Sequence, residues 1–312
     1  SRGLGDVYKR QAQHCTIEVP NEFDMNLGLR KAIYIPFPQA VPLRYTIDGN
    51  HCLKLTRGVC GLCQRICKAG AVNYDQKPEA LNLTVGSIIV ATGFELFDTK
   101  VRSEYGYGRY LNILTSLEFE RLLSASGPTG GHLMRSSDGK IPRRIAFVQC
   151  IGSRSQREGE LPFCSSVCCV YATKEAILIR EHDPECEVYV LYIDMKVFGK
   201  GFQDFVNRAK DEYGIKYIKG HPGKVEEDQK TGDLVLRYED TTDEKMKEVR
   251  ADLVVLCPAL IPRQDNEKLS KILKIEIDEY GFFKSKNSLL TPLDTSLPGV
   301  FILANQNGSG GL

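Results

Sequence analysis

Four cysteines crowded into sixteen residues constrain this chain more than any other feature. Cys52, Cys60, Cys63 and Cys67 have seven, two and three residues between them. Thiolates so close in sequence converge on one inorganic centre. The C-x2-C-x3-C end of the run has the iron–sulfur spacing of bacterial ferredoxins, in which the last cysteine of a run ligates the other cluster.

That spacing makes a specific prediction about ligand sharing. We expect Cys52, Cys60 and Cys63 to share one cluster and Cys67 to serve a second cluster. The first cluster then needs a fourth thiolate, and Cys15 is the upstream candidate. A structural zinc site remains the alternative, since four cysteines also bind zinc.

Composition limits the functional classes. The 312 residues suffice for two domains, and the net charge of +1 gives no electrostatic reason to expect a nucleic-acid partner. We find no apolar run of bilayer-spanning length and no secretion signal, so we predict no membrane span. Eleven cysteines in such a chain favour metal or redox use in a reducing compartment, and we expect the cytoplasm. We interpret residues 1–11 as a non-native leader.

The second half of the chain predicts an α/β fold. Strands at 145–150, 188–193 and 215–218 alternate with helices at 164–181 and 202–213, and another buried strand follows at 253–256. This order indicates a parallel sheet of the nucleotide-binding type. A hairpin is predicted at 224–239, and a short helix capped by Ser116 at 117–123.

The apolar run at 85–93 predicts a further strand, buried on both faces, that ends at Ala91-Thr92-Gly93. A small turn of this kind lets backbone approach a ligand closely. We also expect residues 73–75 to form the strand that closes a ferredoxin hairpin.

The first strand–helix turn of the parallel unit lacks G-x-G-x-x-G, the loop that holds a dinucleotide pyrophosphate, so we expect weak NAD(P) binding or none. Cys164, Cys168 and Cys169 surround the predicted helix start, where a helix N-terminus lowers a thiol pKa. A redox role is open to them, but we favour simple packing there, and we interpret Cys150, Cys186 and Cys257 as core residues. We interpret Lys200 as an exposed loop lysine.

At this point the residues resemble a known family. Long stretches of the chain are similar to the FAD and iron–sulfur subunit of heterodisulfide reductase (its A-type subunit) and to the bacterial homologues of that protein. The stretches that carry this resemblance are 19–24, 30–42, 116–128, 163–174 and 198–201.

The resemblance implies a thioredoxin-reductase-like flavoprotein into whose FAD domain a ferredoxin domain with two [4Fe-4S] clusters is inserted. It implies electron passage between FAD and clusters toward disulfide reduction on partner subunits, with electron bifurcation in some members. Cys15 matches the end of the inserted domain's first cysteine run, Cys52 to Cys67 match the second run, and Ala91-Thr92-Gly93 matches an FAD-side turn. The partners implied are other subunits of such a complex.

With that resemblance, we predict five segments in the chain: the leader at 1–11, a partial ferredoxin-like segment at 12–78, part of the FAD-binding domain at 79–142, an NAD-domain-like unit at 143–262, and a return to the FAD-binding domain at 263–312. The chain departs from the family pattern at three places. Lys68 stands where a ferredoxin run usually has proline, Cys257-Pro258-Ala259 replaces a second Ala-Thr-Gly turn, and Ala304-Asn305-Gln306 stands near where related flavoproteins have Gly-Asp. We expect the Gly-rich FAD loop upstream of residue 1.

Two other functions compete with electron transfer. One is an NAD(P)H-dependent disulfide oxidoreductase that uses Cys164 with Cys168 or Cys169, and it would be favoured by an intact dinucleotide loop. The other is a zinc-stabilised interaction subunit without catalysis.

Overall fold

The computed structural model describes residues 12–303, so the predicted leader and the departure at 304–306 lie outside the described residues. The described residues form two compact units. Unit 1 contains residues 12–83 and 121–132, and unit 2 contains residues 84–120 and 133–303. The predicted five-segment division remains a prediction.

The elements of the described part of the chain are short in the first third and longer after it. The strands are β1 (Glu18–Pro20), β2 (Leu29–Lys31), β3 (Ile33–Tyr34), β4 (Thr46–Ile47), β5 (Ile88–Val90), β6 (Glu95–Leu96), β7 (Ile113–Thr115), β8 (Arg144–Ile151), β9 (Glu187–Tyr192), β10 (Lys216–Lys219), β11 (Pro222–Glu227), β12 (Leu234–Asp240), β13 (Lys245–Ala251), β14 (Leu253–Pro258), β15 (Leu260–Ile261) and β16 (Val300–Ile302). The helices are α1 (Leu53–Arg57), α2 (Leu62–Ile66), α3 (Ser116–Leu123), α4 (Cys168–His182), α5 (Phe202–Asp211) and α6 (Asn266–Leu273). Short 3-10 turns lie at Glu22–Asp24, Thr99–Val101 and Ser103–Tyr105.

Unit 1 is built from very short elements. Strands β1 and β2 form one antiparallel pair, and β3 and β4 form another. Helices α1 and α2 have five residues each and contain no buried residue. The buried apolar side chains among the described residues of this unit are few, namely Val19, Ala32, Ile33, Ala40, Cys67, Val72, Leu122 and Leu123. So little apolar burial contributes modestly to stability.

Unit 2 centres on a five-stranded parallel sheet with strand order β10-β9-β8-β14-β7. Strands β8 and β14 occupy its middle and are almost entirely buried, as their continuous apolar sequences require. The antiparallel sheet β11-β12-β13 packs on this core through side chains such as Leu234 and Leu236. The α/β class and the predicted strand–helix order are therefore confirmed.

Several local predictions are wrong in instructive ways. Residues 73–75 form no strand, because this segment pairs with no neighbouring strand in the described chain. Helix α4 begins at Cys168 and not at 164, since Ser166 has a left-handed backbone (φ +64°) that interrupts helical geometry. Cys150, predicted to lie in the core, is only half-buried at φ +60°.

The predicted cap of α3 is also wrong by one residue. Thr115, not Ser116, makes the capping box. The Glu118 N–H lies 3.4 Å from Thr115 Oγ1, and the Thr115 N–H donates to Glu118 Oε2 at 2.6 Å. Ser116 is buried and donates instead to the Tyr171 hydroxyl.

The strand that leads to Ala91 is shorter and less buried than predicted. It covers only Ile88–Val90 and pairs in parallel with β16. Val90 packs with Ile275 and Phe283, whereas Ile88 and Ile89 are 39% and 65% exposed. The prediction of burial on both faces is therefore wrong for the described chain, because only one face of the pair has a packing layer.

Candidate functional site

Four of the five cysteines predicted to bind clusters line a single cavity in unit 1. These four, called the pocket thiols below, are Cys15, Cys52, Cys60 and Cys63, and Tyr74 lines the same cavity. Cys67 does not line it. The cavity volume is about 30 Å³, enough for a water molecule or two.

The chain brings the pocket thiols together through tight local geometry. Cys52 is the N-cap of α1, and Cys63 lies in the first turn of α2. Between the two helices, Cys60 has φ +83° and Gly61 has φ +93°. Left-handed backbone is costly for a residue with a side chain, and such strain concentrates at functional sites. Gly61 supplies the second left-handed residue without that cost.

An ion-pair network fixes the turn before Cys52. Arg30 Nη2 lies 2.9 Å from Asp48 Oδ2, with both side chains under 10% exposed. His51 Nδ1 also lies 2.9 Å from this carboxylate. Burial opposes ionisation of Asp48, but hydrogen bonds with His51 and Arg30 outweigh it and lower its pKa to about 2. The Asp48 carbonyl in turn accepts the Cys52 N–H at 2.9 Å.

The Tyr74 hydroxyl lies among the thiols. It is 2.8 Å from Cys63 Sγ. Burial, the hydrogen bond with Cys63, and the nearby thiols of Cys63, Cys52 and Cys60 all raise the pKa of Tyr74. The shared influence on one hydroxyl shows that these three thiols converge. Within residues 12–303, however, no group of three or more Cys, His, Asp or Glu side chains has the arrangement of a formed metal site. The donor type therefore fits a cluster, while the spacing of the sulfur atoms is not that of a loaded site.

Cys67 has different surroundings from the pocket thiols. It is buried at the C-terminus of α2, and its sulfur accepts the Ala71 N–H at 3.2 Å. Its separation from the cavity agrees with the predicted division of ligands, although the assignment of all five cysteines remains a prediction.

Ala91, Thr92 and Gly93 lie immediately after β5, at the carboxyl end of its parallel pair with β16. Gly93 has φ +81°, and a Cβ built there would meet no heavy atom within 4 Å. The turn thus combines a glycine-specific backbone with open space beside it, as the close approach of a ligand requires. Its role in FAD binding remains a prediction.

Unit 2 contains a second thiol group. It consists of Cys150, Cys164, Cys168 and Cys169, called the sheet thiols below. Cys150 lies near the carboxyl end of β8, and α4 begins at Cys168 and Cys169. Burial, followed by the charges of Cys169 and Cys164, raises the pKa of Cys150 to about 11. Burial and the charges of the other three thiols raise the pKa of Cys168 to about 12.

Backbone donors and strained residues surround the sheet thiols. Cys164 Sγ accepts the Ser166 N–H at 3.3 Å, and Cys169 Sγ accepts the Lys196 N–H at 3.4 Å. Hydrogen bonds of this kind tune the reduction potential of thiolate-bound clusters. Cys150, Arg154 and Ser166 all have positive φ, which is consistent with a functional loop. By donor type, four thiols suit an iron–sulfur cluster or zinc, although among the described residues they do not have the arrangement of a formed metal site.

Sequence reasoning grouped Cys164, Cys168 and Cys169 but favoured simple packing for them and interpreted Cys150 as a core residue, so it did not predict a group of four thiols. The signal was available, since the carboxyl end of a parallel strand and the N-terminus of the following helix lie at the same sheet edge. That rule places Cys150 beside Cys164, Cys168 and Cys169. The expected lowering of thiol pKa by the helix N-terminus is wrong for Cys168 and Cys169, because burial dominates.

Two cavities flank the first turns of α4. One has a volume of about 550 Å³ and is lined by Val170, Phe198, Lys200 and Phe205, among others. The other has a volume of about 240 Å³ and contains Glu120 and Glu175. Tyr171 and Lys174 contribute to both cavities. As predicted, Lys200 is exposed in its loop.

Comparison with known proteins places these features in a family, although no protein-family model matches the chain. The chain is 50% identical over 294 residues to the A-type iron–sulfur subunit of CoB–CoM heterodisulfide reductase from Methanocaldococcus jannaschii, covering 94% of this chain and 44% of that protein. It is 49% identical over 297 residues to the A-type subunit of the H2/formate:CoB–CoM heterodisulfide, ferredoxin reductase from Methanococcus maripaludis, covering 95% and 44%. It is 39% identical to the A-type subunit of the ferredoxin:CoB–CoM heterodisulfide reductase from Methanosarcina acetivorans, covering 94% and 40%.

Among solved structures, the chain is similar to thioredoxin reductase from T. acidophilum, with 17% identity and a TM-score of 0.40, over 72% of this chain and 59% of that one. It is similar to the Lactococcus lactis enzyme with 18% identity and the same TM-score, over 71% and 57%. None of the helices between residues 12 and 303 has the length and apolar character that a bilayer crossing requires. The chain spans less than half the length of the curated relatives. On the identity that extends over nearly all of its length, it belongs to the family of the A-type subunits of heterodisulfide reductase.

Proposed function

We propose that this chain is an electron-transfer segment of a heterodisulfide-reductase-type oxidoreductase, with clusters held by cysteine and an FAD beside the parallel sheet. The observation that carries the proposal is the convergence of the pocket thiols, which come from residues 15 and 52–63, on one cavity. Simple packing would not require thiols from two separate parts of the chain together with a left-handed cysteine.

In this proposal, Cys15, Cys52, Cys60 and Cys63 hold one [4Fe-4S] cluster, and Cys67 contributes to another. Ala91, Thr92 and Gly93 lie against the FAD. When bound, the clusters would take up and release single electrons, and FAD would connect them to two-electron chemistry. The protein's own contribution is to fix the thiols, to exclude water and to place hydrogen bonds on the sulfurs.

The sheet thiols support a second cluster-binding position. Their backbone N–H donors at 3.3 and 3.4 Å resemble the outer shell that a thiolate site needs. The same four thiols bear on the alternative of a disulfide oxidoreductase. Burial raises the pKa values of Cys168 and Cys169, and a thiol that is protonated at neutral pH is a poor nucleophile. A metal ion would displace these protons when it binds, so the raised pKa values weigh against exchange in the absence of a metal and leave metal binding open.

The wider assignments follow from the relatives. Their names describe subunits of complexes that act on the CoB–CoM heterodisulfide. We propose that this chain's partners are other subunits of such a complex in the cytoplasm, that disulfide reduction takes place on those subunits, and that some complexes of this kind bifurcate electrons at the flavin.

The test is anaerobic purification with measurement of iron, sulfide and zinc. We expect visible absorbance that bleaches with dithionite, and about four iron atoms for each complete cluster. C63S should lose one cluster's iron, whereas C67S, the matched control in the same helix region, should retain it. C164S should lose the iron of the sheet thiols alone. A colourless protein that contains zinc would overturn the proposal in favour of the zinc-stabilised subunit.

A further inference from the structure

A buried carboxyl group in unit 2 has an oxygen atom without a hydrogen-bond partner among the described residues. Glu175 lies on α4 and is only 2% exposed. Its Oε2 is fully enclosed and has no hydrogen-bond partner in the described part of the chain. An unpartnered buried polar atom is costly, on the order of 1–3 kcal/mol, so its presence calls for a functional explanation.

A second carboxyl group lines the same cavity as Glu175. Glu120, on α3, is within hydrogen-bonding reach of Glu175. Glu120 also forms an ion pair with Lys174, at 2.5 Å between Nζ and Oε2. The side chains of Lys174 and Glu120 are 45% and 41% exposed, so this ion pair is accessible to water.

Both glutamates line the 240 Å³ cavity, and few other ionisable groups face it. Lys174 and Tyr171 come from α4, the same helix as Glu175. From the sheet side, the Cys257 thiol on β14 is fully buried and is influenced by both Glu175 and Cys168. The rest of the lining from the described residues is uncharged. Among those residues Lys174 is therefore the single positive group at this cavity, and it pairs with Glu120 and not with Glu175.

The surroundings of the two carboxyl groups differ, and this difference decides which of them carries a proton. An ionised carboxylate only accepts hydrogen bonds, so two of them can be bonded to each other only when one is protonated. Lys174 stabilises the ionised form of Glu120, and the dry surroundings of Glu175 disfavour its charge. The proton therefore belongs on Glu175.

We propose that Glu175 is a proton-exchange site, which holds a proton at neutral pH, shares it with Glu120, and lets the pair take up a second proton when an electron arrives at the cluster proposed for the sheet thiols, two of which begin the same helix. The second half of this statement rests on the proposed electron-transfer function. For each electron accepted from an external reductant, one proton enters from water through the cavity. The pair then holds two protons where it held one, and the net charge of the site is unchanged.

The resting proton can be tested without any cofactor. Infrared spectroscopy of the purified chain at neutral pH should show the carbonyl stretch of a buried carboxylic acid, and this band should shift in D2O as the proton exchanges. The isosteric variant E175Q should lose the band. E181Q, which changes an exposed glutamate on the same helix, should retain it.

Coupling to electron transfer is tested by redox titration at several pH values. A one-electron midpoint potential coupled to one proton shifts by about 59 mV for each tenfold change in proton concentration. We expect that dependence in wild type and in E181Q, and its loss in E175Q. A band that persists in E175Q, or a dependence that E175Q leaves unchanged, overturns the proposal. A chain that binds no redox group but shows the Glu175 band refutes the electron-transfer function and keeps the proton site.

Discussion

The two thiol groups differ in what supports them. The pocket thiols belong to a unit of two- to five-residue elements with little apolar burial. The sheet thiols are attached to a five-stranded parallel sheet whose central strands are fully packed. Bonds to a metal can replace a hydrophobic core in the first case, whereas the core exists without them in the second. Under the proposed function, the same side chain is a structural necessity in one unit and an addition to a finished fold in the other.

The largest expected effect is the response to metal removal. Iron chelation should unfold the segment around residues 46–74 and leave the peptides of β8 and β14 unchanged, because a bound metal contributes on the order of 10 kcal/mol to a small metal domain. Hydrogen–deuterium exchange, measured peptide by peptide, reports the protection of both units in one experiment. Equal protection of residues 46–74 with and without metal would remove the contrast between the units.

A substitution in the parallel sheet of unit 2 is the converse test, because it weakens unit 2 and leaves the metal-binding segment unaltered. Phe147 is fully buried in β8 and makes an edge-to-face contact with Phe119, at 5.6 Å between ring centroids. F147A should lower the free energy of unfolding of unit 2 by about 3–5 kcal/mol, measured by urea denaturation, while F147L should cost less than about 1.5 kcal/mol. Exchange protection at residues 46–74 should stay the same in both variants. A parallel loss there would mean that the two units unfold together.

The pH dependence of stability separates the units further. Burial, reinforced by the charge of Glu120, raises the pKa of Glu175 in the folded chain above its ordinary value of 4.5. The unfolded chain therefore releases this proton first, and unit 2 loses stability as the pH rises from about 4.5 toward the folded pKa. E175Q lacks this loss and should be more stable than wild type near pH 8 by about 1–3 kcal/mol.

At pH 4 and below, that difference should vanish. Urea titrations at a series of pH values measure it, with E181Q as the control that follows wild type. A constant difference between E175Q and wild type at all pH values would show that packing, and not the proton, is responsible.

The smallest expected effect concerns the capping box of α3. T115A removes the side-chain oxygen near the Glu118 N–H and should destabilise unit 2 by about 1 kcal/mol, whereas T115S keeps the hydroxyl and should behave like wild type. Thermal unfolding followed by circular dichroism measures both variants. If S116A, which lies one residue away, has the larger effect, the buried hydrogen bond with Tyr171 matters more than the cap.

The sequence predicted the parallel unit well, because its strands are continuous apolar runs and its helices have clear ends. Predictions weakened where tertiary context decides. The sequence of residues 85–93 does not indicate that Ile89 faces solvent. The burial of a strand depends on which elements pack against it, and the sequence of the strand does not contain that information. The N-terminus of α4 was misplaced because Ser166 has a left-handed backbone conformation. Serine occurs in helices as well as in turns, so the residue type alone does not predict that conformation.

The convergence of Cys52, Cys60 and Cys63 was predictable from their spacing, because thiols that are close in sequence need little help from the fold, and Cys15 was predicted as the upstream thiolate that joins them. The sheet thiols were not recognised as a group, since fourteen positions separate Cys150 from Cys164 and only the strand–helix connection brings them together. Glu175 was not predictable either. A glutamate in a helix is ordinarily exposed, and only its position against β14 and α3 shows that it is enclosed.

The parallel pair of β5 and β16 has a practical consequence for anyone who purifies this polypeptide. Among the described residues, β5 has a partner on one side only, and Val85, Ile88 and Ile89 are exposed aliphatic side chains in this segment of unit 2. A strand with one open edge and an apolar surface invites association with further copies. Preparations at high concentration should precipitate through this strand, and replacing Ile89 with lysine offers a direct remedy.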